Sequence, residues 1–206
     1  MIDAARPTVF VVDDDASVLK SLDRVLRSMG FAVETFNSSQ SFLDQCDLER
    51  QGCVLLDLAM PDFSGIQVQQ RLVEAGSLLT VVFLSGAAEI PDSVSAMKAG
   101  AVDFLIKPAN DEQLRNAIDG ALERNRRFRE ERDEKEAIIR RYSTLTPREK
   151  EVMRHLLVGK RNKQIAFELG IVEKTIKVHR ARILAKLQVT SLVNLYDLAA
   201  RAGIEL

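Results

Sequence analysis

Asp13, Asp14, Asp57, Ser85 and Lys107 share one property: each follows a short apolar run. The two aspartates at 13 and 14 follow TVFVV, Asp57 follows CVLL, Ser85 follows TVVFL and Lys107 follows DFLI. If those runs are parallel strands of an open sheet, their carboxyl ends converge on one crevice. Three carboxylates gathered there repel one another, so the site calls for a hard divalent cation such as Mg2+. A hydroxyl and an ammonium facing them suit a phosphoryl group. The chemistry is that of a carboxylate that accepts phosphate.

The elements that must position these groups are legible in residues 1–120. Strands are predicted at 8–12, 32–36, 53–56, 80–84 and 102–106. Three of them are nearly continuous apolar runs, the mark of strands buried on both faces. Amphipathic helices are predicted between them. Residues 16–29 put Val18, Leu22, Val25, Leu26 and Met29 on one face, and 65–74 put Ile66, Val68 and Leu72 inward. A third opens at Pro91 and closes at Gly100. Strand and helix in alternation give a doubly wound parallel sheet.

A helix follows from Asn110, with Gln113 placed for a capping box and Leu114, Ile118, Ala121 and Leu122 on its apolar face. No Gly or Pro stands between Ala121 and Thr146, so a long helical linker is expected. Its seven-residue grid is too polar for a strong coiled coil, and a solvated helix with charge pairs is the favoured reading. Helices are then predicted at 147–158, 162–169, 173–187 and 191–202. Thr146 caps the first, Pro147 starts it and Glu149 reaches back. Gly170-Ile171-Val172 joins two short helices as in a helix-turn-helix.

Charge divides the chain the same way. Residues 1–120 carry a net −9, 121–143 carry +2 and 144–206 carry +6, and the whole carries −1. An acidic front and a basic rear point to two domains with different partners, the rear one a polyanion. At 206 residues and 46% hydrophobic content, two small cores can be filled. Cys46 and Cys53 have no metal-ligand spacing, and His155 and His179 are too few for a histidine metal site. No secretory signal or membrane-length apolar run is present, so no membrane partner and a cytoplasmic location are expected.

Taken together, Val12-Asp13-Asp14-Asp15, Asp57 with Met60-Pro61 and Gly65, Ser85-Gly86, Gly100-Ala101, and Phe104 before Lys107-Pro108 resemble the receiver domains of bacterial two-component response regulators. The resemblance covers about 8–122. It implies a flavodoxin-like sheet of order 2-1-3-4-5 and Asp57 as phosphoacceptor. It also implies Mg2+ held by Asp14, Asp57 and the Ala59 carbonyl, with Asp13 acting mostly through water. Ser85 would bond a phosphoryl oxygen, Lys107 would pair with the acceptor or its phosphate, and Phe104 would be the ring that turns inward as Ser85 moves. Asp15 becomes a local helix cap. Ser85 stands for the commoner threonine and Ala109 for a phenylalanine. Ala59 and Ala87 cannot orient an attacking water, so self-dephosphorylation is expected to be slow. An unchanged phosphate lifetime in Ala59→Asn with Ala87→Glu would overturn that expectation.

Residues 144–206 resemble the LuxR-type helix-turn-helix of the NarL/FixJ class. The match rests on Leu145-Thr146, Arg148-Glu149, Val152, Gly159, Asn162-Lys163, Ile165-Ala166, Leu169, Thr175-Ile176-Lys177-Val178-His179 and Lys186-Leu187. Helical geometry turns Ile176, His179, Ile183 and Leu187 of the third helix inward. It turns Lys174, Lys177, Val178, Ala181 and Arg182 toward a DNA groove. Lys163, Thr175 and Arg180 are placed for phosphates. His179 is expected to be packed and hydrogen-bonded. Arg161 and Val172 stand where Ser or Thr caps are usual. Leu192, Leu195, Tyr196, Leu198 and Ala199 of the last helix are assigned to a dimer contact, with packing inside the domain as the competing reading.

The sequence therefore reads as a receiver at 1–122, a charged helical linker at 123–143 and a small all-α DNA-binding domain at 144–206. The expected function is transcription control without enzymatic turnover. Its partners would be a sensor histidine kinase, promoter DNA, RNA polymerase and a second copy of the chain paired on phosphorylation. Pairing is assigned to the face made by 91–99, 102–106 and the start of the helix after it. Two alternatives compete: a receiver kept only as a dimerisation scaffold, and a Mg2+-dependent phosphotransferase acting on external substrates.

Overall fold

The computed structural model describes residues 6–86 and 96–204 and divides the chain into two compact units, Met1–Arg129 and Glu130–Leu206. In the first, five strands form one parallel sheet: β1 (Thr8–Val12), β2 (Ala32–Phe36), β3 (Gly52–Leu56), β4 (Thr80–Ser85) and β5 (Asp103–Ile106). Their order is β2-β1-β3-β4-β5. The helices of this unit are α1 (Ala16–Ser28), α2 (Ser39–Gln45), α3 (Gly65–Glu74) and the first part of α4 (Asp111–Ser143). The helix expected at 91–99 lies mostly outside the described residues. Its last part, 96–98, is helical and turns at Gly100, whose φ is +96°.

Strand alternation sorts the core into two layers. Val9, Val11, Cys53, Leu55, Val82 and Leu84 pack with Leu19 and Leu26 of α1 and with Leu114 and Ile118 of α4. Phe10, Val12, Val54, Leu56, Val81 and Phe83 pack with Phe42 of α2 and with Val68 and Leu72 of α3. Both faces of the central strands are thus covered, as their unbroken apolar runs require.

The helix starts follow the side chains. Asp15 Oδ1 accepts from the Ser17 hydroxyl at 2.6 Å, the Ser17 amide at 2.7 Å and the Val18 amide at 3.4 Å. The Ser17 hydroxyl, then those amides, hold its carboxyl below the usual range. Asn110 and Gln113 form a reciprocal box, Gln113 N donating to Asn110 Oδ1 at 2.9 Å and Asn110 N to Gln113 Oε1 at 3.0 Å. The short helix α2 was not expected. Ser38 Oγ caps it by accepting from Ser41 N at 3.0 Å.

The charged stretch 123–143 departs from the solvated reading. Surface pairs are present, with Glu123 2.8 Å from Arg126 and 2.9 Å from Arg127. Asn125, however, is wholly buried. Its Oδ1 accepts from Gly52 N at 3.1 Å and its Nδ2 donates to Leu78 O at 2.6 Å. Arg129 donates to the carbonyls of Glu49 and Arg50. The start of β3 and the turn before β4 leave backbone groups unpaired, and these side chains satisfy them.

The second unit contains the end of α4, then α5 (Pro147–Leu157), α6 (Asn162–Glu168), α7 (Glu173–Leu187) and α8 (Leu192–Ala202). Ile138 of α4 is buried in its core, with Tyr142 packed against it. Thr146 and Glu149 form a capping box with Pro147 inside it. Glu149 is also buried, and Lys186 Nζ lies 2.6 Å from its Oε2. Burial alone would raise the Glu149 carboxyl. The Lys186 ammonium and the Thr146 backbone outweigh it and hold the group below its usual 4.5. A carboxyl held low in the folded state contributes stability above its unfolded value, and that stability is lost as pH falls through the folded value. Lys186→Met is therefore expected to lower the stability of this unit by about 1–3 kcal/mol at pH 7. The gap from wild type should shrink below pH 4.5, read by urea unfolding at both pH values.

The residues assigned to a dimer contact sit differently from that expectation. Leu195, Leu198 and Ala199 are buried within the unit's own core and Leu192 packs against it. Tyr196 stays partly exposed, but its hydroxyl donates to Leu156 O at 2.9 Å. The buried side of α8 closes this small core, while Val193 and Tyr196 of the same helix remain exposed.

Candidate phosphate site and nucleic-acid face

Lys107 is the hub of the strand-end site. Its Nζ lies 2.5 Å from Asp13 Oδ2 and 2.8 Å from Asp57 Oδ1. Asp13 and Asp57 are only 3% and 6% exposed. Burial would lower the Lys107 ammonium, but the hydrogen bonds and charges of the two aspartates outweigh it and raise the group above its usual 10.5. The remaining oxygens are engaged as well. Asp13 Oδ1 accepts from Asp15 N at 2.9 Å and Asp57 Oδ2 from Ala59 N at 2.8 Å. The backbone sets this arrangement: Asp57 N donates to Val12 O at 2.9 Å and Lys107 N to Ser85 O at 2.8 Å, so the end of β3 is tied to that of β1 and the end of β5 to that of β4.

Asp14 departs from the expected trio. It is exposed, and among the described residues no group of three His, Cys, Asp or Glu lies close enough to hold a metal ion. Lys107 supplies one positive charge and gathers two carboxylates. The third, two residues past the end of β1, is turned to solvent. The donor set still fits Mg2+. It consists of carboxylate and carbonyl oxygens, each with a further lone pair, and the two buried aspartates exceed the lysine by one negative charge.

Ser85 is buried at the end of β4, beside Ile106 in register. Phe104 is half-buried, its ring 6.0 Å from that of Phe83. Ala59 is exposed beside Asp57, while Ala87 lies outside the described residues. Sequence reading did not anticipate how tightly Gly65 is held. A Cβ there would stand 2.4 Å from the Asp57 carbonyl oxygen and 2.8 Å from the Phe83 ring.

In the second unit, α6 and α7 meet through Gly170 at φ +64°. Ile176, Ile183 and Leu187 are buried, whereas Lys174, Lys177, Val178, Ala181 and Arg182 are exposed. Lys163 of α6 is exposed, and Thr175 and Arg180 are half-buried. Lys177 is 3.3 Å from Glu173, one turn back on its own helix. His179 is half-buried, and its Nδ1 has no hydrogen-bond partner among the described residues. It is packed but not bonded at that atom. Val172 caps α7 in an extended conformation without a side-chain hydrogen bond. It is exposed, so Val172→Ser removes no packing. A gain of about 1 kcal/mol is expected, read from slower hydrogen exchange of the α7 amides.

A five-stranded receiver with an aspartate-lysine cluster at its strand ends, followed by a basic helix-turn-helix, defines a response regulator. Residues 9–119 match the family of response regulator receiver domains, and residues 143–199 match the bacterial regulatory proteins of the luxR family. The chain belongs to the response regulators that join these two domains, which are transcriptional regulators and not enzymes. It is 40% identical over 193 residues to the response regulator protein TodT of Pseudomonas putida, spanning 94% of this chain and 85% of TodT. It is 39% identical over 196 residues to the transcriptional regulatory protein FixJ of Bradyrhizobium diazoefficiens, spanning 95% and 96%. The solved structure of the response regulator StyR superposes with a TM-score of 0.83 at 45% identity, covering 96% of this chain and all of that one. Full-length FixJ from B. japonicum gives 0.59 at 38% identity, covering 97% and 98%. The family sets aside a phosphotransferase acting on external substrates. No helix among the described residues is long and apolar enough to cross a membrane.

Proposed function

We propose that Asp57 is the phosphoacceptor of this regulator and that a sensor histidine kinase supplies the phosphoryl group. The observation that carries the reading is the Lys107 ammonium held between Asp13 and Asp57. One Asp57 oxygen attacks phosphorus, the P–N bond of the donor phosphohistidine breaks, and the imidazole keeps the electron pair and takes a proton from solvent. Lys107 neutralises charge on the phosphoryl oxygens. Asp13, Asp14, Asp57 and the Ala59 carbonyl would hold Mg2+, which supplies further neutralisation when bound. Ser85 bonds a phosphoryl oxygen, and its movement gives the half-buried Phe104 ring room to turn inward.

The functional division is a receiver at 1–122, a connector at 123–143 and a reading head at 144–206. Phosphorylation favours a homodimer through 91–99, 102–106 and the start of α4. Of these, 91–95 lie outside the described residues. The paired heads bind promoter DNA and act on RNA polymerase in the cytoplasm. Lys177, Arg182, Lys174, Val178 and Ala181 face the major groove. Lys163, Thr175 and Arg180 contact phosphates.

The deciding test is the DNA affinity of the full chain with and without a small phosphodonor and Mg2+. Affinity should rise as one phosphoryl adduct appears, since pairing and DNA binding are linked. An adduct that left affinity and oligomeric state unchanged would mean that the receiver is a scaffold. Five basic residues on the reading face predict a log-affinity against log-salt slope of up to about −4.5 per head. Lys163→Gln should make the slope shallower by about 1, measured by fluorescence anisotropy in a salt series.

A further inference from the structure

Ser38 caps α2, but Ser39, the first residue of that helix, is spent elsewhere. It is fully buried, and its hydroxyl has two partners on one residue of another loop. It accepts from Phe63 N at 3.0 Å and donates to Phe63 O at 3.0 Å. A buried hydroxyl that uses both its donor and an acceptor lone pair has its polar demand met. Phe63 lies in the stretch 57–64 between β3 and α3. One side chain, 24 positions away, thus satisfies both of its backbone groups. The Phe63 ring has a second anchor, the guanidinium of Arg71 of α3 at 3.8 Å from its centroid.

The loop that Ser39 grips is the one that carries Asp57. Its near end is fixed: Asp57 N donates to Val12 O at 2.9 Å, and Asp57 Oδ2 accepts from Ala59 N at 2.8 Å. Gly65 N donates to Leu58 O at 2.9 Å and closes the base of the arch. Across the top, Ala59, Pro61 and Asp62 are exposed and Met60 is buried. A flexible thioether side chain fixes a backbone direction poorly. Two hydrogen bonds to a packed helix fix it well. α2 is such a helix, because Phe42 is fully buried with its ring 6.2 Å from that of Phe10 and 5.3 Å from that of Phe36. The direction of the Ala59 carbonyl is therefore set from two sides, by Asp57 and by Phe63.

We propose that Ser39 is a positioning residue for the divalent cation of the phosphate site. Through Phe63 it holds the top of the loop, so that the Ala59 carbonyl keeps one position relative to the Asp57 carboxylate. This role rests on the reading of Asp57 and Ala59 as cation ligands. Ser39 itself touches neither the cation nor the phosphoryl group. Mg2+ demands near-ideal octahedral geometry, so it is sensitive to a small displacement of one oxygen. The Asp57 carboxylate has its own support in Lys107, 2.8 Å away. Loss of the Ser39 hydroxyl should thus weaken cation binding while leaving the attack by Asp57 nearly intact.

The test titrates the full chain with Mg2+ in the absence of any phosphodonor and follows the Asp57, Leu58 and Ala59 amides by NMR. Ser39→Ala should raise the Mg2+ dissociation constant about fivefold or more. Phosphoryl uptake from a small phosphodonor should then be slower at low Mg2+ and return to within about twofold of wild type at saturating Mg2+. Ser39→Ala removes one oxygen and adds a better helix former, and its fold is checked by its amide spectrum. Val33→Ala is the control for lost stability alone. Val33 is buried in the core layer opposite α2. That variant should lower the urea midpoint at least as far as Ser39→Ala and leave the Mg2+ constant within about twofold of wild type. A Mg2+ constant unchanged in Ser39→Ala, or weakened equally in Val33→Ala, would overturn the proposal and leave Ser39 as a packing residue. A wild type without saturable Mg2+ shifts at Asp57 would overturn the cation reading itself, and the role of Ser39 with it.

Discussion

Asp57→Asn takes up no phosphoryl group from a small phosphodonor and Mg2+ under conditions that modify the wild type fully; this is the expected result. The carboxamide oxygen carries no negative charge, and the acyl phosphate that would form has no stable counterpart on an amide. The pocket itself should survive the change. Lys107 Nζ keeps Asp13 Oδ2 at 2.5 Å, and Ala59 N still finds an oxygen at position 57. Two buried carboxylates share one ammonium in the wild type, so removing one charge should leave folding stability level or raise it. Intact-mass spectrometry gives the adduct count and urea unfolding gives the stability. In a DNA shift assay the variant should give the same affinity with and without phosphodonor. A full adduct on Asp57→Asn would move the acceptor to another side chain, with Asp13 and Asp14 the first to examine. Lost stability with no adduct would mean that Asp57 serves mainly to bind Lys107.

How much of this site could be read from the sequence depends on which physical rule controls each residue. Asp13, Asp57, Ser85 and Lys107 were legible because a parallel sheet forces the ends of its strands together, and each strand announced itself as an apolar run. Asp14 was not, because its exposure is decided by which face of the strand end it occupies and by how many carboxylates one lysine can hold. The helix α2 escaped because Phe42 and Leu43 give too short a period over seven residues. Its signal was Ser38, a cap in front of a weak apolar pattern. Asn125 escaped for a different reason. Its partners are Gly52 N and Leu78 O, groups far away in sequence, and a charged helix shows no pattern that marks one asparagine as buried. For α8, the apolar stripe was plain but its partner was not. A face that packs inside its own domain and one that packs on a second copy have the same periodicity.

Gly65 links the fold to the chemistry, and Gly65→Ala is expected to damage both. The Cβ would lie 2.4 Å from the carbonyl oxygen of Asp57 and 2.8 Å from the Phe83 ring. Neither neighbour can yield freely. The Asp57 backbone is fixed by the hydrogen bond that its amide donates to Val12 O at 2.9 Å, and Gly65 N itself donates to Leu58 O at 2.9 Å. Phe83 is fully buried in the layer beneath α3. The start of α3 must move out or the Asp57 loop must shift, at a cost of about 2–4 kcal/mol of receiver stability. Either movement displaces the Asp57 carboxylate from Lys107, so phosphoryl uptake should slow even where the protein remains folded. Gly120→Ala is the matched control. That glycine lies inside α4, and a Cβ there meets nothing within 4 Å. Better helix propensity alone should then raise stability by about 0.5–1 kcal/mol without changing uptake. Urea unfolding and the rate of phosphodonor-driven mass change, measured on both variants, separate the two effects. If Gly65→Ala matched Gly120→Ala in both measurements, the close approach of α3 to the acceptor strand would not be what holds Asp57 in place.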